Sequence, residues 1–150
     1  MVLGVVTLVV APAARRFLEW ERAGQLRAAA QHLRPMYLTG DYEGVSSKGE
    51  RLSKRFPESS ELKAWTILSL SPGALGGQDE AIEAARALST AHPADPWGWF
   101  ALAGALGAKD SDQALAACEK ALAKMPRHPD FLWMRARTLL FSQDRAGEVP

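Results

Sequence analysis

Along most of the chain apolar residues recur at intervals of three and four, and Ala, Leu, Glu, Lys and Arg dominate, with no β-branched alternation. That pattern predicts helices throughout. RFLEWERAGQLRAAAQH (Arg16 to His32) is amphipathic in this sense. DEAIEAARALSTAHP (Asp79 to Pro93) and DQALAACEKALAKMP (Asp112 to Pro126) are written alike, each with an acidic start and a closing proline. Asp79 and Asp112 sit where caps or first-turn acids are favoured, and Pro93 and Pro126 fall where a helix must already have ended. Turn residues (Gly76-Gly77-Gln78, Lys109-Asp110-Ser111) separate each of these helices from the one before it.

The same phrases return at a fixed distance. Trp65, Trp99 and Trp133 are evenly spaced, Leu68 and Leu102 follow the first two at the same offset, and HPADPWGWFAL is echoed by MPRHPDFLWMRA. This resembles the tetratricopeptide repeat, a helix-turn-helix of about 34 residues with a W-x-x-L-G-x-x-Y, A-x-x-x-F, P skeleton, and the tryptophan interval equals the length of that unit. The matching residues are Trp65, Leu68, Ala81, Ala85 and Pro93, then Trp99, Leu102, Ala114, Cys118, Ala121 and Pro126. A weaker earlier unit carries Gly40, Tyr42 and Pro57, with Gly49 where Ala or an aromatic is expected. Ser69 and Pro72 depart from the skeleton in the second unit. The resemblance implies an all-α fold, a right-handed solenoid of antiparallel helix pairs. Its units would be 23–59, 62–95, 96–129 and a partial 130–150, behind an apolar N-terminal helix at 1–22.

MVLGVVTLVVAPAA is apolar from Val2 to Ala14 except for Thr7, and Arg15-Arg16 follow. Three readings stand: a secretory signal ending in Ala11-x-Ala13, a short membrane anchor over residues 2–20 with Trp20 at the interface, or a helix capping the solenoid. Thirteen helical residues reach about 20 Å against a hydrocarbon core near 30 Å, so an anchor needs Phe17 to Trp20 as well. Residues 1–56 carry nine basic and five acidic side chains. That excess beside the apolar run favours the anchor and a membrane-associated protein, cytoplasmic or periplasmic. The overall charge of +1 gives no field that would point to nucleic acid.

Candidate chemistry is sparse. The sequence has no strand-bound glycine loop, HExxH, CxxC or nucleophile elbow. SPGALGG (Ser71 to Gly77) reads as a turn, and the pairs Glu80/Glu83 and Asp110/Asp112 as helix-start acids. Cys118 reads as a buried structural thiol, and His92, His128 and the isolated His32 lack the partners a metal needs. No catalytic residue, metal or cofactor is expected.

The family resemblance instead implies a partner-binding groove lined by one face of each first helix. In this sequence that face is Arg27, Gln31 and Arg34, then Lys63, Thr66, Ile67 and Leu70, then Trp97 and Phe100, and finally Phe131, Met134 and Arg135. The expected function is a non-catalytic adaptor that holds an apolar or amphipathic segment of a partner protein, as an accessory subunit of a larger complex. The alternative is the leading or linking region of an enzyme whose catalytic domain lies beyond residue 150.

Overall fold

The computed structural model describes residues 3–71, 77–107 and 109–146. Among them the chain is all-α, with seven helices and no strand: α1 (Leu3–Leu38), α2 (Tyr42–Arg55), α3 (Ser60–Leu70), α4 (Gln78–Ala91), α5 (Pro96–Leu106), α6 (Ser111–Lys124) and α7 (Pro129–Ala146). Pro72 and most of the SPGALGG turn lie outside the described residues. The starts are dictated locally. Asp41, Ser59, Asp95 and Asp110 each cap a helix, their side chains accepting from the backbone N–H of Gly44, Leu62, Trp97 and Gln113. Each such cap contributes about 1 kcal/mol.

The joint that ends each even helix and begins the next odd one is built three times. Phe56, His92 and Met125 close α2, α4 and α6 with φ/ψ of −127/66, −132/66 and −137/79, and each is followed by proline. A proline bars the preceding residue from the helical region, which stops the helix there. Past that proline, the N–H of Ser59, Asp95 and His128 donates back to the carbonyls of Phe56, His92 and Met125 at 3.0–3.1 Å. The helix starts Tyr42 to Ser60, Gln78 to Pro96 and Ser111 to Pro129 are therefore separated by one and the same interval. The other connection varies, and the interval from Ser60 to Gln78 is longer than that from Pro96 to Ser111.

Packing follows these joints. The odd helices pack in succession, α1 on α3, α3 on α5 and α5 on α7, while each even helix packs on its two flanking odd helices and not on another even one, among the described residues. Leu62, Ala64, Trp65, Leu68 and Ser69 are the buried stripe of α3, and Gly98, Phe100, Ala101, Gly104 and Ala105 repeat it in α5 with the same internal spacing. In α7 the buried Phe131, Met134 and Thr138 repeat the spacing of Gly98, Ala101 and Ala105. The packing thus advances by unequal steps, the longer from α3 to α5 and the shorter from α5 to α7, and neither equals the tryptophan interval. The evenly spaced tryptophans occupy different places: Trp65 is 1% exposed, whereas Trp99 and Trp133 stand at the edge of the core.

The membrane-associated localisation expected from residues 2–20 is corrected by the structure. Among the described residues no helix is long and apolar enough to cross a membrane. α1 has the length, 36 residues, but not the composition. A span needs about 20 apolar residues, and a stretch of that length begun at Leu3 already takes in Arg15, Arg16, Glu19, Glu21 and Arg22.

Gly98 tests how closely the joints bring helices together. A Cβ built there would stand 2.7 Å from the Cα and 2.8 Å from the backbone N of Ser89 in α4. Helix propensity alone favours Ala over Gly by about 1 kcal/mol, but overpacking costs about 1–3 kcal/mol. Gly98→Ala is expected to lower the urea midpoint at unchanged m-value; a raised midpoint would show that α4 and α5 have room to part.

Candidate interaction site

The face assigned to a partner groove is filled by the protein's own rings. Tyr37 of α1 lies 5.4 Å, centroid to centroid, from Trp65 of α3; Trp65 lies 5.2 Å from Phe100 of α5; and Phe100 lies 5.3 Å from Phe131 of α7. Trp97 joins the cluster edge-on, 5.0 Å from Phe131 and 5.4 Å from Phe100. Offset and edge-to-face pairs of this kind add about 0.5–1.5 kcal/mol each beyond the area they bury. Gly104 makes the approach possible, because Leu68 of α3 and Met134 of α7 both reach over it. The first and last helices meet across the cluster. Tyr37 stands 6.4 Å from the Trp133 ring, Arg137 donates to the Tyr37 hydroxyl at 3.2 Å, and Arg34 forms an ion pair with Asp130.

The twelve expected groove residues are therefore divided among several places. Phe100, Phe131 and Met134 are 1–2% exposed and belong to the core. Trp97 is half-buried among rings, and Leu70 packs against the core edge. Arg27 and Gln31 are exposed on α1, Arg34 is held by Asp130, and Arg135 donates to Glu119 of α6 at 2.6 Å. Lys63, Thr66 and Ile67 line an opening together, and it lies between α2, α3 and α4.

That opening has a volume of about 620 Å³ and is walled by Glu50, Ser53 and Lys54 of α2, Lys63, Thr66 and Ile67 of α3, and Ala84, Ala87 and Leu88 of α4. It is within the roughly 300–1,000 Å³ of ligand sites. The cleft exists because α2 and α4 are held apart by α3 and do not touch. Thr66 occupies the space above Gly49, where a Cβ would collide with it, and donates to the Leu62 carbonyl at 2.8 Å. Ala84 and Ala87 keep the α4 wall low. Ser53 Oγ is buried without a hydrogen-bond partner among the described residues. The corresponding opening between α4 and α6 is smaller, about 370 Å³, and is crossed by the Lys109–Asp79 ion pair. The six wall residues outside α3 carried no sequence signal, since Ala84 and Ala87 are two among five alanines of α4.

Elsewhere titratable groups are shifted by burial. Burial pushes the Glu61 carboxyl up to about 7, and the nearby charges of Asp130 and Asp95 push the same way. Burial lowers His128, whose ring stacks on Phe131 at 4.3 Å. Burial also raises the Cys118 thiol to about 11, against a weak contact with Thr138, so it stays protonated at neutral pH. Among the described residues no group of three or more His, Cys, Asp or Glu side chains could hold a metal ion. Comparison with protein-family models finds none that matches this chain, and no curated protein matches it.

Two measurements probe this arrangement. Phe131→Ala is expected to cost about 3–5 kcal/mol of stability, as for other buried aromatics; an unchanged melt would return Phe131 to the surface. The folded state holds a proton on Glu61 that the unfolded chain has released by neutral pH, so this group's contribution to stability is present below about pH 4.5 and lost as pH rises through about 7. Glu61→Gln should therefore raise the unfolding free energy at pH 8, by an amount of order 1 kcal/mol once partial exposure is discounted, and change it little at pH 4.5. Equal shifts at both values would contradict the burial of this carboxyl.

Proposed function

We propose that this protein is a non-catalytic interaction scaffold, a helical solenoid similar to tetratricopeptide-repeat proteins, and that its binding site is the α2–α3–α4 cleft. The occupant is a short amphipathic helix of a partner protein. Its apolar face lies on Ile67, Ala87 and Leu88, and an acidic residue on its flank meets Lys54 and Lys63, which outnumber the single Glu50 on the walls. Helix-in-groove recognition needs such an apolar trough with polar edges. The observation that carries the reading is the apolar opening of about 620 Å³ left where two even helices do not meet. The three-fold joint and the succession of odd helices support the solenoid, since repeat arrays bury a continuous core by stacking each unit on its neighbours. An accessory subunit presenting this cleft within a larger assembly needs no reactive group, and the one cysteine is buried and protonated.

A displayed library of helical peptides tests the site. Selected binders are expected to carry apolar residues at i, i+3 or i+4, and i+7, with Asp or Glu beside them. Ala87→Trp, which fills the cleft from an exposed position, should abolish their binding at unchanged circular dichroism and Tm. Lys54→Glu with Lys63→Glu should weaken it by about tenfold or more. Binders that retain full affinity for Ala87→Trp would place recognition elsewhere.

A further inference from the structure

We infer that the side chains joining α1 to α7 form a latch that opens as pH rises, with Glu61 as its trigger. The two helices lie at opposite ends of the odd series, and among the described residues no Cα of one comes within 8 Å of a Cα of the other. Side chains nevertheless join them. Arg34 of α1 pairs with Asp130, Arg137 of α7 donates to the Tyr37 hydroxyl at 3.2 Å, and the Tyr37 and Trp133 rings stand edge to face at 6.4 Å. Arg137 is held in place for this from its own helix: its guanidinium lies 5.5 Å from the Trp133 ring and 5.4 Å from that of Phe141.

Such a closure is soft. Helices that pack in succession, each on its neighbours, fix the distance between the first and the last only through the sum of small angles at each interface. A slight change at the α1–α3, α3–α5 and α5–α7 contacts carries α7 beyond the reach of a guanidinium and leaves every neighbouring pair packed. The balance of charge where the ends meet then decides whether they stay together.

That balance turns on acids at the starts of three odd helices. Glu61 lies in the first turn of α3, Asp95 caps α5, and Asp130 lies in the first turn of α7. Asp130 is 7% exposed and is paired with Arg34 of α1. His128, at the joint before α7, faces Asp130 and Arg34 with a ring whose burial disfavours its charged form. The charges that push on Glu61 are those of Asp130 and Asp95; α2 and α4 contribute none among the described residues. With Glu61 protonated the junction sets two carboxylates against Arg34, and with Glu61 ionised it sets three. Burial, with Asp130 and Asp95 behind it, keeps the Glu61 proton in place up to about 7. Moving α7 away takes Asp130 from Glu61 and admits water, so the open form releases that proton at lower pH than the closed one. The closed form is therefore favoured while Glu61 keeps its proton, and the preference is lost as pH rises from the ordinary carboxyl range through about 7.

Nitroxide labels at Gln31→Cys on α1 and Ala136→Cys on α7, both exposed positions, read the distance across the gap in the full chain by double electron–electron resonance. Cys118 is buried and does not take a label. One short distance should dominate at pH 5, and the ratio of long to short distances should rise by about tenfold or more at pH 8, with helical circular dichroism unchanged. Glu61→Gln should keep the short distance at both values. Arg34→Gln, which takes the cation from Asp130, should bring in the long distance already at pH 5. The same distance at both pH values, a lengthening that persists in Glu61→Gln, a short distance kept throughout by Arg34→Gln, or a lengthening accompanied by loss of helicity would each overturn the inference.

Discussion

A proline two residues past the end of each even helix is the constraint from which the remaining geometry follows. It forbids helical geometry at Phe56, His92 and Met125, and the chain turns through the same hydrogen-bonded loop each time before the next helix is capped. Because that loop has one length and one backbone geometry, each odd helix leaves its even predecessor in the same relation. The buried stripes then line up by distance from the joint and not by distance from the previous tryptophan. A longer or shorter second connection changes nothing in this relation, which is why the packing can advance by one step from α3 to α5 and by a shorter one from α5 to α7.

Setting the odd helices in succession has opposite results on the two sides of the layer. On the side away from the even helices, Tyr37, Trp65, Phe100 and Phe131 reach across neighbouring helices and fill the space, with Gly104 clearing room for Leu68 and Met134. On the other side the even helices are too far apart to touch, and the gap between α2 and α4 stays open because its walls are short: Gly49 under Thr66, and Ala84 and Ala87 on α4. The aromatic residues therefore fill one side of the layer, and the small ones leave the other open.

Much of the fold was legible in the sequence. The helices, their acid starts and the proline stops all depend on residues within one turn of each other, and local rules reach that far. The phrase shared by HPADPW and MPRHPD is the joint itself. The spacing of the three tryptophans misled, because identical spacing of side chains does not require identical spacing of the helices that bear them. Of the expected groove, Lys63, Thr66 and Ile67 reach an opening and Phe100, Phe131 and Met134 do not. Exposure depends on whether a neighbouring helix supplies a ring to cover the site, and that neighbour can lie far along the chain, as α7 does from α1. The apolar start read as an anchor failed on a simpler count, since charges enter before the run is long enough.

By itself the sequence determined the all-α class, the places where helices start and stop, and the recurrence of one joint, since each of these follows from backbone restrictions acting over a few residues. Only the tertiary structure decided which of the repeated aromatics are interior, which side of the helix layer is filled, and where a cleft remains. Those outcomes depend on the sum of side-chain volumes that three or four distant helices bring to one place, and no local pattern carries that sum.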